Sequence, residues 1–332
     1  MSSLRLSEGT AGLLGLKPVR AADLPTTAYL MLGEACVRDC AFCAQARGAR
    51  SGAGRLARVS WPEFDWTEVA PALTSACQRG LVKRVCAQTV AGPEAIELLR
   101  ELLARLEPLV AVPVSASLHI RDAAQLAQLF AGGLDRAGLA IDVANDRLFR
   151  EYKGGELEQA LQLLAAAAAA HPGRISTHLI VGLGETEQEL LALADRCLGL
   201  GITVGLFAFT PVKGTRLADR PPPDLSSYRR VQAALRLLQE DRVRWTDLSF
   251  DAAGRLDRLP LPAAELARLL GSGLAFQTLG CAGCNRPYYN ERPGSRLYNY
   301  PRPLTANEIA EALEPAMLIA ESDLRAPQGE LS

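Results

Sequence analysis

The sequence has almost no net charge and no long apolar run, and each absence excludes a class of protein. Its 36 Lys and Arg residues balance 37 Asp and Glu residues, and no basic run is longer than a few residues. We therefore expect no binding to nucleic acid and no attraction to an anionic membrane surface. The alanine-rich residues 161–170 fall short of the roughly 18 to 20 apolar residues that a membrane span needs. Residues 1–20 lack the layout of a signal peptide, which favours a cytoplasmic protein.

The cysteines are grouped in a way that favours metal binding over disulfides. Five of the eight lie in two tight groups, and the first group is Cys36, Cys40 and Cys43. A structural zinc site uses four protein ligands, usually as two separate pairs. Three thiolates on one short loop instead suit an iron–sulfur cluster that leaves one iron open. A zinc loop or three core cysteines remain the alternatives.

Strand-like and helix-like runs alternate along most of the chain at intervals of roughly 30 residues. This alternation predicts parallel strands joined by helices, and eight such units close a (β/α)8 barrel of the TIM type, an α/β fold. A doubly wound open sheet is the alternative. In a barrel, the chemistry lies at the C-terminal ends of the strands, where the first cysteine group follows its strand. The predicted strands are residues 27–33, 84–89, 112–118, 138–143, 175–182, 202–210, 243–249 and 274–279.

The remaining segments precede and follow this single barrel in the sequence. We expect a lead-in helix over residues 1–26 and the barrel over 27–280. A cysteine-pair loop with a helix, residues 281–325, is predicted to lie over the barrel mouth, and residues 326–332 form a tail.

A second metal-binding group is predicted from Cys281 and Cys284. Two thiolates three residues apart form a common bite for one metal. They follow the last predicted strand and are expected on the same face as the first group. Cys86 is the third ligand that we predict, because its strand also lines the barrel, whereas Cys77 and Cys197 fall in helical patterns. A zinc knuckle or a redox pair is the alternative.

The C-x3-C-x2-C spacing after an apolar strand resembles the radical S-adenosylmethionine (SAM) enzymes. The resemblance implies that Cys36, Cys40 and Cys43 hold a four-iron four-sulfur cluster whose fourth iron binds SAM. Reduction then releases a 5′-deoxyadenosyl radical, which removes a hydrogen atom from the substrate.

A narrower resemblance is to biotin synthase, and it extends over residues 27–285. The run Ile180-Val-Gly-Leu-Gly-Glu resembles the strand that contacts the adenine of SAM. The stretch at 209–218 (FTPVKGTRLA) is also similar. The resemblance implies SAM contacts from Asp142, at the ribose, and from Ile180, Gly182, Gly184 and Glu185. A salt bridge at the barrel rim is the alternative role for Asp142, and an ordinary strand-to-helix turn is the alternative for the glycine run.

The chain departs from biotin synthase at its second cluster. Cys86 matches one of the three cysteines that hold the two-iron cluster of that family, but Ser115 and Ser176 stand where the other two are expected. The loss of two thiolates removes that cluster. The Cys281–Cys284 pair is then the predicted replacement, holding an auxiliary iron–sulfur cluster.

The segment after the second cysteine group is rich in Arg and Tyr. Arginine binds carboxylates or phosphates through paired hydrogen bonds, and tyrosine packs on substrates. We therefore predict substrate contacts from Arg286, Tyr288, Tyr289 and Arg292, with a self-stabilised surface loop as the alternative.

Taken together, the resemblances imply sulfur insertion at an unactivated aliphatic carbon. A barrel with a C-terminal cysteine pair is similar to the biotin synthase-like components of two-protein lipoyl synthases. The implied partners are an octanoylated lipoyl carrier domain or H-protein, a second radical SAM subunit, and an electron donor such as ferredoxin or flavodoxin. The alternatives are another biotin synthase-like reaction, either a biotin-type thiolation or a carbon-skeleton rearrangement, and a non-catalytic iron–sulfur electron carrier.

Overall fold

The computed structural model describes residues 2–52 and 54–321, so the predicted tail, residues 326–332, lies outside the described residues. The strands of the described part are β1 (Ser3–Leu6), β2 (Thr27–Leu32), β3 (Arg55–Leu56), β4 (Val59–Ser60), β5 (Glu63–Asp65), β6 (Arg84–Thr89), β7 (Val114–Ser117), β8 (Leu134–Gly138), β9 (Ile175–Val181), β10 (Thr203–Ala208), β11 (Ser249–Phe250), β12 (Leu256–Pro262) and β13 (Ala320–Glu321). The helices are α1 (Glu8–Leu13), α2 (Trp66–Gln78), α3 (Ala95–Leu106), α4 (Ala124–Ala131), α5 (Asp146–Tyr152), α6 (Leu157–Ala170), α7 (Glu187–Gly199), α8 (Leu225–Gln239), α9 (Ala263–Leu270) and α10 (Ala306–Met317). Within this part, no helix is long and apolar enough to cross a membrane.

Six parallel strands form the wall of a TIM-type barrel. β2, β6, β7, β8, β9 and β10 neighbour one another in that order, and each adjacent pair is parallel. β1 and β5 extend the β2 edge in antiparallel fashion. Within the described residues no pairing joins β10 to β5, so the sheet is open on that side. The predicted α/β barrel fold is confirmed, with six parallel strands in place of eight.

The last two predicted strands do not form, and the strand predicted at 138–143 lies earlier, at Leu134–Gly138. Residues 243–249 contain the 3₁₀ turn Trp245–Asp247, and residues 274–279 begin with the 3₁₀ turn Leu274–Phe276. Gly273, with a φ of 73°, turns the chain just before the second of these. A short apolar run packs on a core equally well as a strand or as a turn, so periodicity alone does not separate them.

The lead-in segment, residues 1–26, contains a strand as well as a helix. β1 pairs with β2, and α1 follows it with Ser7 as its N-cap. At the other end of the chain, α10 packs on α8 and α9 outside the sheet.

Strand β2 shows how the barrel wall separates the core from the interior. All six of its residues are buried, as expected for a parallel strand that is covered on both faces. Alternate side chains point to opposite faces. Ala28, Leu30 and Leu32 join the large core beneath the helices, whereas Tyr29 and Met31 belong to a small separate cluster on the inner face.

A buried ion pair joins the helices that follow β9 and β10. The Glu187 carboxylate accepts hydrogen bonds from Arg230, from Ser227 Oγ at 2.7 Å and from Leu256 N at 2.9 Å. Both charged side chains are buried. Glu187 therefore ties the start of α7 to α8 and β12.

We expect Glu187→Ala to lower the free energy of unfolding by about 3–5 kcal/mol, because it leaves the Arg230 charge buried without its carboxylate. Urea denaturation followed by circular dichroism measures the change. Glu158→Ala is the matched control, since Glu158 pairs with Arg196 at the surface, where solvent screens the interaction. An equal decrease in the free energy of unfolding in the two variants would show that the buried pair stabilises the fold no more than the surface pair does.

Candidate functional site

One cavity of about 680 Å³ lies inside the barrel wall, and both predicted cysteine groups line it. The cavity is bounded by the inner faces of the parallel strands and by the loops that follow them. Its cysteines are Cys36, Cys40, Cys43, Cys86, Cys281 and Cys284.

The first cysteine group lies on the loop that leaves the C-terminal end of β2. Ala41 N donates to Tyr152 O at 2.7 Å, which holds the loop against the end of α5. Gln45 N donates to the Cys43 sulfur, and burial raises the pKa of the Cys43 thiol to about 12. Metal binding at such a thiol displaces a proton.

The second cysteine group lies at the opposite end of the barrel. Thr26 Oγ1 donates to Gly283 O at 2.7 Å, and Arg84 Nε donates to Ala282 O at 3.0 Å. Thr26 directly precedes β2 and Arg84 begins β6, so the Cys281–Cys284 turn packs at the N-terminal ends of these strands. The expectation that the pair shares the face of the first group is wrong. Residues 274–279 do not form a barrel strand, so they do not bring the chain to the C-terminal ends of the strands before Cys281.

Cys86, Cys281 and Cys284 line the same cavity, and polar side chains contact two of them. Cys86 is on the inner face of β6, and burial raises its pKa to about 12, with the charges of Cys284 and Cys281 adding to the effect. Gln88 Nε2 donates to Cys86 Sγ at 3.1 Å. Tyr29 Oη lies 3.1 Å from Cys284 Sγ. Cys86 and the C-terminal pair thus line the same cavity, and a shared metal ligation by the three stays a prediction.

After Cys284 the chain runs along β10, the open edge of the sheet, toward the C-terminal end of that strand. Arg286 Nη2 donates to Leu279 O at 2.6 Å beside Gly205 on β10. Asn290 Nδ2 donates to Ala208 O, the last residue of β10, at 2.6 Å. This loop occupies the side where two further barrel strands were predicted, and it reaches the mouth only at its end.

Asp142 faces the cavity and is held by two side chains, those of Lys153 and His178. Lys153 Nζ donates to Asp142 Oδ2 at 2.5 Å, and His178 Nε2 lies 2.7 Å from Asp142 Oδ1. Burial by itself would raise the pKa of Asp142, but these two neighbours outweigh it and hold the pKa well below its usual range. The rim salt bridge is thus formed, and contact with the ribose stays a prediction.

Lys153 and His178 were not singled out from the sequence. His178 shares the inner face of β9 with Ser176 and Ile180. Because alternate residues of a strand share a face, the sequence could have predicted that His178 faces the cavity. Lys153 follows α5, and no pattern in the sequence marks it.

Of the four residues predicted to contact SAM at the end of β9, one lines the cavity and three form the turn that follows. Ile180 lines the cavity. Gly182 and Gly184 have φ angles of 102° and 114°, which glycine adopts without strain. The Glu185 carboxylate accepts from Gly182 N at 2.7 Å, and burial raises its pKa. These three residues shape the turn and are not among the cavity-lining residues, so adenine contact from them stays a prediction.

The structure brings two of the four predicted substrate residues to the cavity. Arg286 stacks on Phe207 with its guanidinium carbon 4.0 Å from the ring centroid, and Tyr289 packs against the same ring at 5.0 Å. Tyr288 instead donates to Asp23 at 3.1 Å, and Arg292 is exposed. These last two fit the alternative of a self-stabilised surface loop.

The two serines line the cavity, and the two remaining cysteines lie outside it, as the sequence predicts. Ser115 and Ser176 line the cavity, so hydroxyl groups stand on β7 and β9 where thiolates would be needed for a two-iron cluster of the biotin synthase type. Cys197 is buried in the core, and Cys77 packs against it.

Comparison with known proteins agrees with this geometry. The family model described as "Radical SAM superfamily" matches residues 30–197, just over half of the chain, and this stretch contains the first cysteine group and the Asp142 network. The chain belongs to the radical SAM superfamily. Within it, the relatives below support the biotin synthase-like branch.

This radical SAM chain is 30% identical to the biotin synthase of Synechococcus sp. (strain JA-3-3Ab) over 61% of its own length and 65% of that protein. It is 27% identical to the lipoyl synthase of Chloroflexus aggregans over 54% of its own length and 57% of that protein. It therefore spans less than two thirds of either relative. The FeFe-hydrogenase maturase from Carboxydothermus hydrogenoformans has the same fold, with a TM-score of 0.52 at 16% identity over 77% of this chain and 68% of that one.

The donor sets fit the cofactors of the superfamily, a four-iron four-sulfur cluster and SAM. Each group supplies three thiols, and none of the eight cysteines, all of which are described, forms a disulfide. Among the described residues, no three His, Cys, Asp or Glu side chains are arranged to hold a single metal ion. A cluster of several irons spreads its ligands more widely than one ion does, so this finding does not exclude an iron–sulfur cluster.

Proposed function

We propose that this protein inserts sulfur at an unactivated aliphatic carbon, as a component of a lipoyl synthase that acts on a protein-bound octanoyl chain. The observation that carries the proposal is the placement of two cysteine groups at opposite ends of one cavity. A substrate held between them can meet a radical source at one end and a sulfur source at the other.

The cavity wall between the two groups supports an aliphatic substrate. Tyr29, Met31, Trp61 and Val90 form a buried cluster that touches Cys36 on one side and Cys86 and Cys284 on the other. A hydrocarbon chain laid on this wall is removed from water, which stabilises binding by about 0.8 kcal/mol for each buried CH₂ group.

Charged residues stand at the two ends of the cavity. Lys153, Asp142 and His178 form a hydrogen-bonded unit near the first cysteine group. Arg286 lies beside the second group; burial by itself would lower its pKa, but the neighbouring cysteine and tyrosine side chains outweigh burial and raise it. We assign the first set to orientation of SAM and Arg286 to charge balance at the second cluster.

The bound cofactors would supply a deoxyadenosyl radical at the first group and sulfide at the second. The net change in the substrate would be the replacement of one C–H bond by a C–S bond. The hydrogen atom would leave in 5′-deoxyadenosine, and the electron released when carbon bonds to sulfide would reduce an iron of the second cluster. The partners in this proposal are an octanoylated carrier domain or H-protein, a second radical SAM subunit that adds the other sulfur, and an external electron donor.

The test is an anaerobic assay with the reconstituted protein, SAM, a reductant and an octanoylated H-protein, followed by mass spectrometry of the carrier. We expect one sulfur atom per carrier together with 5′-deoxyadenosine. Reconstitution with ³⁴S-sulfide identifies the source, because the label appears in the product only if cluster sulfide is consumed. The non-octanoylated carrier is the matched control.

Three other outcomes would contradict the proposal. Sulfur transfer to dethiobiotin and not to the octanoyl chain would indicate a biotin-type thiolation. Deoxyadenosine without sulfur in any product would favour a carbon-skeleton rearrangement. Absence of SAM cleavage by the reduced protein with its clusters in place would indicate a non-catalytic electron carrier.

A further inference from the structure

A second, smaller cavity lies against the first cysteine group. It has a volume of about 290 Å³, and its lining includes Cys40 and Cys43 together with Arg50 and Arg216. The same two cysteines line the large cavity. The cysteine loop therefore separates the substrate cavity from a second opening beside it.

Two segments that are far apart in the sequence form this opening. One is the glycine- and arginine-rich loop after the cysteines, and the other belongs to the 209–218 stretch, which the proposed function leaves without a role. Arg50 N donates to Gly214 O at 2.8 Å, and Arg216 Nη2 donates to Asp39 O at 2.8 Å. These bonds hold the two segments together beside Cys40.

The rim of the opening is cationic. Arg50 and Arg216 line the cavity, and Arg47 and Lys213 are next in the chain to the lining residues Gly48 and Gly214; all four side chains are exposed and together form what we call the rim. Within the described part of the chain, none of the four takes part in an ion pair. The acidic side chain in the lining is Asp39, whose Oδ1 accepts from Gly48 N at 2.8 Å. Since the whole chain is nearly neutral, this local excess of positive charge is a specific feature.

We infer that this cationic rim is the docking site of an acidic one-electron donor protein. Clustered charges of one sign steer a partner of opposite sign and speed its encounter by about 10- to 1000-fold at low salt. A donor seated here is separated from Cys40 and Cys43 by little more than their own loop, while the large cavity stays free for SAM and substrate. In the step, the donor loses one electron to the cluster, and no bond or proton is exchanged.

The inference rests on the proposed function only in requiring reduction of the first cluster, and it holds whichever product is formed. The test uses the loaded full-length protein with reduced flavodoxin as the probe. Arg50→Glu combined with Lys213→Glu reverses two charges whose side chains make no hydrogen bond or ion pair among the described residues, and it leaves Arg216 and its bond to the cysteine loop in place. The matched control combines Arg79→Glu and Arg242→Glu, since these exposed residues lie beyond α2 and α8 at the N-terminal end of the barrel.

We expect the rim variant to be reduced by flavodoxin at least about ten-fold more slowly than wild type at low salt, with a weaker salt dependence. Its calorimetric affinity for flavodoxin should fall in parallel. Reduction by dithionite, followed by electron paramagnetic resonance, should be unchanged in both variants.

Three results would overturn the inference. Unchanged reduction by flavodoxin would show that the rim does not bind the donor. Slower reduction by dithionite as well would show that the cations act on the cluster itself. Weaker binding of the octanoylated carrier, with unchanged binding of flavodoxin, would assign the rim to the substrate protein.

Discussion

Cys40→Ala is expected to abolish SAM cleavage and to lower the iron content by about four atoms per chain. Cys40 is the middle member of the first group, and its side chain faces the large cavity. With two thiolates left on the loop, a four-iron cluster loses one of its three protein ligands. Iron and sulfide counting after anaerobic reconstitution, together with chromatographic detection of 5′-deoxyadenosine, measures both effects.

Cys77→Ala is the matched control for this prediction. Cys77 is on α2, outside the cavity lining, and packs against the core. We expect it to keep the full iron content and the full rate of SAM cleavage. Cleavage that survives in Cys40→Ala would remove Cys40 from the ligand set, and loss of iron in Cys77→Ala would show that the count reports general damage to the fold.

The double variant Cys281→Ala, Cys284→Ala is expected to lower the iron content from about eight to about four atoms per chain while SAM cleavage is retained. The two cysteines lie at the far end of the cavity from the first group, so their removal should leave the site of radical formation intact. Sulfur incorporation into the octanoyl chain should fall to background. Mössbauer spectroscopy of the wild type and the variant separates the two clusters.

The control for the double variant is Cys77→Ala combined with Cys197→Ala, which removes the same number of thiols from helices. About four irons in both the wild type and the Cys281, Cys284 variant would refute the auxiliary cluster. A rearrangement enzyme with a single cluster would then be the function that the site supports. Loss of both clusters together would show that the C-terminal turn supports the whole barrel.

Much of the first site could be predicted from the sequence, because its determinants are local. The three cysteines lie within eight residues, so any fold of that loop keeps them close together. The apolar strand before them has the buried composition of a parallel strand, and β2 is buried at every position. The family, the barrel wall and the closeness of the first three cysteines therefore followed from short-range patterns.

The number of strands was less predictable. Residues 243–249 contain apolar side chains, but Arg244 pairs with Asp247 across a 3₁₀ turn at the surface. A six- or seven-residue apolar run has the same periodicity whether it enters a sheet or packs on it from outside. Only the packing of the neighbouring helices decides between the two.

The sequence by itself determined that this chain is a radical SAM barrel with two groups of cysteines, because spacing and strand composition are properties of neighbouring residues. Only the tertiary structure decided that the groups face each other from opposite ends of one cavity. The position of the second group depends on hydrogen bonds between the Cys281–Cys284 turn and Thr26 and Arg84, about 200 or more residues away in the chain. The partners of Asp142, Lys153 and His178, are likewise set by where three separate elements meet. Contacts at such separations leave no periodic trace, so no local pattern could reveal them.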